Sequence, residues 1–143
     1  MGTISRLRAS LRIFGDELEP DEITRLLGKQ PHGVQRRGYP MLMPSGAEGR
    51  IMPFSSWFLQ ADESFSGDLD VQVAQILDRT TDDLTVWRHI ASAYKMDLYC
   101  GLFLRSYNEG LSLSPSTLRD LGEREIVLAL DIYGAGPIEE EDD

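Results

Sequence analysis

Residues 18–28, LEPDEITRLLG, and residues 113–122, LSPSTLRDLG, carry one pattern twice. Leu18, Pro20, Ile23 and Leu26 match Leu113, Pro115, Leu118 and Leu121 in spacing, and a Gly closes each stretch. Proline suits the first position of a helix, where its missing N–H would have no intrahelical partner. In the first copy, Asp21 and Glu22 complement the positive end of the helix dipole, and Ile23, Leu26 and Leu27 form an apolar stripe. Gly28 is the expected stop. In the second copy Ser114 is the expected N-cap. Each copy therefore predicts a short helix that depends on packing, because two turns are marginal by themselves.

What flanks these helices alternates with period two. LRASLRIF, residues 7–14, puts Leu7, Ala9, Leu11 and Ile13 on one face and Arg8, Ser10, Arg12 and Phe14 on the other. FSSWFLQA, residues 54–61, reads as a second strand with Trp57 and Leu59 inward. In residues 96–107, MDLYCGLFLRSY, Leu98, Cys100, Leu102 and Leu104 oppose Tyr99, Gly101, Phe103 and Arg105. The fourth, REIVLALDIYG, sets Ile126, Leu128, Leu130 and Ile132 against Val127, Ala129, Asp131 and Tyr133.

Between the halves the period becomes helical. Leu69, Val73, Ile76 and Leu77 make one stripe, and Leu84, Trp87, Ala91 and Tyr94 a second, with Thr80 or Thr81 as the expected cap between them. Residues 29–53 show no period and contain four Pro and four Gly, which predicts a long irregular loop. Strand–helix–strand on either side of a two-helix insertion predicts an α+β, ferredoxin-like fold. Duplicated βαβ units would form a four-stranded, mainly antiparallel sheet with the first and third strands central and helices over one face. Residues 1–134 are expected to be a single domain, and 135–143, ending EEEDD, a disordered acidic tail.

Charge narrows the function classes. The chain has 143 residues and a net charge of −10. Residues 1–50 hold eight Lys or Arg against six acids, and residues 51–143 hold six against eighteen. This balance argues against nucleic acid, whose binding draws most of its affinity from phosphate attraction. No apolar run reaches membrane-spanning length, and the N-terminus lacks the apolar segment of a signal peptide. MGTISR departs from a myristoylation signal at Arg6. With one cysteine and no internal disulfide, a cytoplasmic location is expected.

Catalytic and metal chemistry finds little purchase. Two distant histidines, His32 and His89, and one cysteine supply neither a zinc set nor a triad, so no metal, cofactor or catalytic residue is expected. Cys100 reads as a small core residue on the apolar face of its strand. DESFSGDLD lacks calcium-loop spacing, GAGP lacks the helix that a phosphate loop feeds, and GKQPHG lacks the P-loop register.

Two surfaces remain as candidates. The first is the basic 29–50 loop, where Lys29, His32, Arg36 and Arg37 are placed to converge on a phosphate or carboxylate. The second is the less apolar sheet face, with Arg8, Arg12, Tyr99, Phe103, Arg105, Asp131 and Tyr133. An RNA-recognition reading of that face lacks the required aromatic motif. The helices of residues 67–94 or a second subunit are expected to cover it, with Trp87 and Tyr94 against Tyr99 and Phe103.

The order of LRASLRIFGDELEPDEITRLLGKQPH, the Trp57 strand, LDVQVAQILDR and LSLSPSTLRDLGEREIVLALDIYG resembles the Domain of Unknown Function 4279 family over roughly residues 7–134. The resemblance implies a small bacterial domain and brings no catalytic residue to any position. The expected function is a non-enzymatic protein-interaction module of an immunity-like or regulatory kind, with a protein partner or a homodimer. The alternative is a small-molecule or anion-binding domain using the sheet face or the loop.

Overall fold

The computed structural model describes residues 6–62 and 67–134. The elements run β1 (Arg6–Gly15), α1 (Pro20–Leu27), β2 (Gly33–Gln35), β3 (Pro40–Leu42), β4 (Glu48–Ile51) and β5 (Ser55–Gln60). They continue through α2 (Leu69–Asp78), α3 (Leu84–Ala93), β6 (Lys95–Phe103), α4 (Pro115–Glu123) and β7 (Val127–Tyr133). The architecture is α+β, with four helices and a mixed five-stranded sheet ordered β2-β5-β1-β6-β7. A separate hairpin pairs β3 with β4. The acidic tail lies outside the described residues.

The ferredoxin-like arrangement does not form. Among the four long strands β1 and β6 are the inner pair, as expected, but the outer two have exchanged places. β1 pairs antiparallel with both β5 and β6, which leaves it no edge for β7. β7 instead lies parallel to β6, joined through α4. The first unit thus pairs its strands directly and antiparallel, and the second is an adjacent parallel pair. Alternation dictates which face of a strand is buried, and it is silent about which strand lies alongside.

One face of the sheet carries the core. Leu7, Ala9, Leu11 and Ile13 of β1 meet Trp57 and Leu59 of β5 and Met96, Leu98, Cys100 and Leu102 of β6, all buried. Ile23 and Leu27 of α1, Leu69, Val73 and Ile76 of α2, Trp87 and Ile90 of α3, and Leu121 of α4 pack into the same cluster. Two indoles sit at its heart with their polar edges satisfied. Trp57 Nε1 donates to Thr24 Oγ1 at 3.0 Å and Trp87 Nε1 to the Thr81 carbonyl at 2.7 Å. Burying such a side chain contributes about 3 kcal/mol provided its N–H is bonded.

Where β5 ends, a helix side chain continues its ladder. β5 pairs with β1 from Ser10 to Gly15, and the Ala61 N–H reaches the Ala9 carbonyl at 2.9 Å. Beyond that rung Gln72 of α2, 1% exposed, takes over. The Ala9 N–H donates to Gln72 Oε1 and Gln72 Nε2 donates to the Leu7 carbonyl, both at 2.7 Å.

Helix ends follow local chemistry with two departures from expectation. Gly28 stops α1 in the left-handed region at φ 71°. Gly122 does not stop α4, which continues to Glu123, and the left-handed residue is Glu125 at φ 58°. The Glu125 N–H bonds the Gly122 carbonyl and the Ile126 N–H bonds Leu121, a Schellman closure with a side chain at the glycine position. For α3, Asp83 caps in place of Thr80 or Thr81, accepting from the Thr85 N–H at 2.9 Å.

Candidate functional site

The second face of the sheet is not covered by helices. Trp87 is buried in the core on the far side, so the expected packing of Trp87 and Tyr94 against Tyr99 and Phe103 is absent. The segment from residue 36 to 54 stands over part of this face instead, because it is not the irregular loop its sequence suggests. β2 adds to the sheet beside β5, with Gly33 opposite Phe58. The chain then turns out into the β3–β4 hairpin, whose base is closed by Gly38 N–H to the Met52 carbonyl and Met52 N–H to the Tyr39 carbonyl, both 2.9 Å. Its far end reverses at Gly46, φ 86°. Met52, 4% exposed, holds the hairpin against the molecule.

A groove of about 490 Å³ lies between hairpin and sheet. Ser10, Arg12 and Phe14 of β1, Ser56, Phe58 and Gln60 of β5, and Tyr99 of β6 form its floor. Met41, Arg50, Met52 and Phe54 form the wall, with Gln35 at one end. The size matches a small-ligand cleft, and the lining is mainly apolar with a few convergent polar groups. Phe58 lies directly on the Gly33 backbone: a Cβ at position 33 would come within 2.5 Å of the ring.

Charge in the groove divides into a bound cation and a free one. Arg12 donates to Asp97 through Nε at 2.9 Å and Nη2 at 2.7 Å, the planar bidentate geometry that suits guanidinium to carboxylate. The same guanidinium stacks over Tyr99 at 4.3 Å and approaches Phe14 at 5.6 Å. The Asp97 hydrogen bond raises the Arg12 pKa further. Arg50 makes no ion pair with any described residue, and it is exposed at the rim. Ser10 and Ser56 likewise leave their hydroxyls without a protein partner among the described residues.

Beyond Tyr99 the open face continues as a locked cluster. The Tyr99 and Tyr133 hydroxyls both donate to Asp131 Oδ2, at 2.6 and 2.7 Å. These bonds hold the Asp131 carboxyl below its ordinary value and raise the Tyr99 phenol, the Asp131 hydrogen bond being the largest cause. Tyr133 stacks on Phe103 at 4.8 Å between centroids, and Arg6 lies over Phe103 at the same distance. Arg8 bonds Gln60 Oε1 at 3.0 Å.

The sequence-derived sites therefore fare differently. Arg8, Arg12, Tyr99, Phe103, Asp131 and Tyr133 do share one face, as their alternation and register require. Arg105 does not: β6 ends at Phe103, and Arg105 lies in the following turn, where its N–H bonds Glu109. Lys29, His32, Arg36 and Arg37 do not converge. Arg36 pairs with Asp21 and Arg37 with Glu17, each at 3.3 Å, while His32 Nδ1 accepts the Gln60 N–H beside the sheet. The loop cation that reaches the groove is Arg50, missed because it sits at the end of the basic segment behind two arginines that look more prominent. Cys100 is fully buried, and burial pushes its thiol up to about 12, so it is a core group. Among the described residues no cluster of metal-ligating side chains exists, and no helix is long and apolar enough to cross a membrane.

Comparison with curated proteins and with solved structures found no match. Comparison with family models matched a domain of unknown function, DUF4279, over residues 5–135. That match spans nearly the whole chain and takes in both the sheet and the hairpin that wall the groove, so the chain belongs to the DUF4279 family.

Proposed function

We propose that this protein is a non-enzymatic binding domain whose groove takes a small anionic molecule with a flat apolar body. The observation that carries this reading is the placement of Arg50, a guanidinium with no ion partner among the described residues, at the rim of an aromatic- and methionine-lined cleft. The body of the ligand lies between the Phe14, Phe58 and Tyr99 floor and the Met41 and Met52 wall, where sulfur and ring faces are good partners. Its acid group meets Arg50, and Ser10, Ser56 and Gln35 supply hydrogen bonds. Binding is favoured over catalysis because the lining offers no carboxylate, thiol or imidazole for proton transfer or attack.

The test is thermal stabilisation of the full chain by a panel of aromatic carboxylates and aryl phosphates, repeated on Arg50→Ala and on the Arg36→Ala, Arg37→Ala double variant. Stabilisation that is lost in Arg50→Ala and kept in the double variant supports the reading. A panel without effect, or equal stabilisation of Arg50→Ala, sinks it. The interaction-module reading expected from size and charge draws its support from a different part of the molecule, the outer edge of β7.

A further inference from the structure

Among the described residues β7 is the outer strand of the sheet, and no described element pairs with its second edge. In a parallel ladder alternate residues turn both backbone groups toward the same neighbour. The Leu104 N–H donates to the Tyr133 carbonyl at 3.0 Å, so Tyr133, Asp131, Ala129 and Val127 face β6. Leu128, Leu130 and Ile132 therefore aim their N–H and C=O groups outward. Edge strands are normally protected by Lys, Pro, bulges or a covering element. VLALDIY has no Lys or Pro, and its single charge, Asp131, is already held by two tyrosines.

We infer that β7 pairs antiparallel with β7 of a second copy, about a two-fold axis at Leu130. In that register Leu130 faces Leu130 and Leu128 faces Ile132, so every outward-aimed backbone group finds its complement. The intervening pairs are Ala129 with Asp131 and Val127 with Tyr133. Asp131 thus falls opposite a methyl group and not opposite its own copy, which removes the like-charge contact that would oppose pairing. A shift of two residues breaks this matching: in one direction Asp131 falls opposite its own copy and Leu128 runs past the end of the partner strand, and in the other Ile132 does so.

The side chains agree with the backbone. Leu118, Val127, Leu130, Ile132 and Tyr133 are 53%, 62%, 47%, 57% and 46% exposed. Leu130 and Ile132 flank the edge on the helix-covered face, where Leu118 is exposed on α4, the helix packed against β7, and Val127 and Tyr133 flank it on the open face. These five residues present roughly 500 Å² per copy, or about 1,000 Å² for a pair, which is the lower bound for a specific interface. The dimer is accordingly a weak one. Each copy carries a net charge of −10, so association should tighten as salt screens the repulsion, opposite to an interface made of ion pairs.

Sedimentation velocity of the full chain over about two decades of concentration, at low and high salt, reads this directly. The expected result is a mass rising toward two copies, more so at high salt. Leu130→Lys, which sets two ammonium groups against each other on the axis, should weaken association at least about tenfold with an unchanged circular dichroism spectrum. Leu130→Cys should crosslink to its own copy under mild oxidant, since residues facing across a strand pair lie within disulfide reach. Val127→Cys, as exposed but far from its own copy in this register, should not, and Cys100 is buried in both. A monomer at every concentration overturns the proposal, as does crosslinking of Val127→Cys at the rate of Leu130→Cys.

Discussion

Replacing Gln72 by methionine keeps the length and volume of a buried side chain and removes only its hydrogen bonds. Two backbone groups of the central strand then lose their partners, the Ala9 N–H and the Leu7 carbonyl. Each orphaned buried group costs about 1–3 kcal/mol, partly offset because the amide no longer has to be desolvated. The net loss should be about 2–4 kcal/mol, a large share of the stability of a domain this size. At about 3–4 °C per kcal/mol this lowers Tm by about 10 °C. Urea unfolding with an unchanged slope measures the energy, and hydrogen exchange at the Ala9 amide locates it. Gln72→Glu separates the two bonds. It can still accept from Ala9, but at neutral pH it cannot donate to Leu7, and it regains that donor on protonation. Its deficit should therefore shrink as pH falls. A loss below 1 kcal/mol in Gln72→Met with undiminished Ala9 protection would show that the ladder end is satisfied some other way and refute the reasoning.

Three further outcomes follow from local geometry. Glu125→Gly should raise stability by about 1 kcal/mol in denaturant unfolding, because a left-handed residue with a side chain is replaced by one without that penalty; unchanged or lower stability would count against it. Asp131→Asn should bring the Tyr99 ionisation down toward 10.0 in an ultraviolet titration. Since the Asp131 carboxyl is lowered in the folded state, its contribution is present above its ordinary value of 3.8 and lost as pH falls through the folded value; the variant should lack that acid-side loss, and retaining it would mean another carboxylate is responsible. Cys100 should resist a thiol-specific reagent at neutral pH until the protein unfolds, and stoichiometric reaction of the native state would contradict its burial.

Much of the fold was legible because its signals are local. The Pro-started helices, the Ser114 cap and the parity of the four long strands all follow from neighbours within a few residues. Strand order was not, since exchanging β5 and β7 preserves every inward-facing residue. The hairpin escaped because β2, β3 and β4 are three or four residues long, too short for alternation to show. The expected convergence of the loop cations is absent for a related reason. Clustered charge drew attention to Arg36 and Arg37, whose partners Asp21 and Glu17 lie fifteen and twenty residues earlier and engage them across a turn of the fold. The sheet face was found from parity alone and lost only Arg105, where the strand stopped before the alternation did.

The groove's two sides answer to different constraints. Every floor residue on β1 has immediate neighbours in the core, so Arg12 is flanked by Leu11 and Ile13, both fully buried. A backbone shift there is transmitted straight into the packing. The wall is tied less closely: among the described side chains of residues 39–52, Met52 alone is buried. Substitutions at Met41 or Arg50 should thus change the groove at almost no cost to folding. The fold thus separates a floor whose backbone is tied to the core from a wall that is not, and on the proposed binding role a change of ligand would be written in the hairpin.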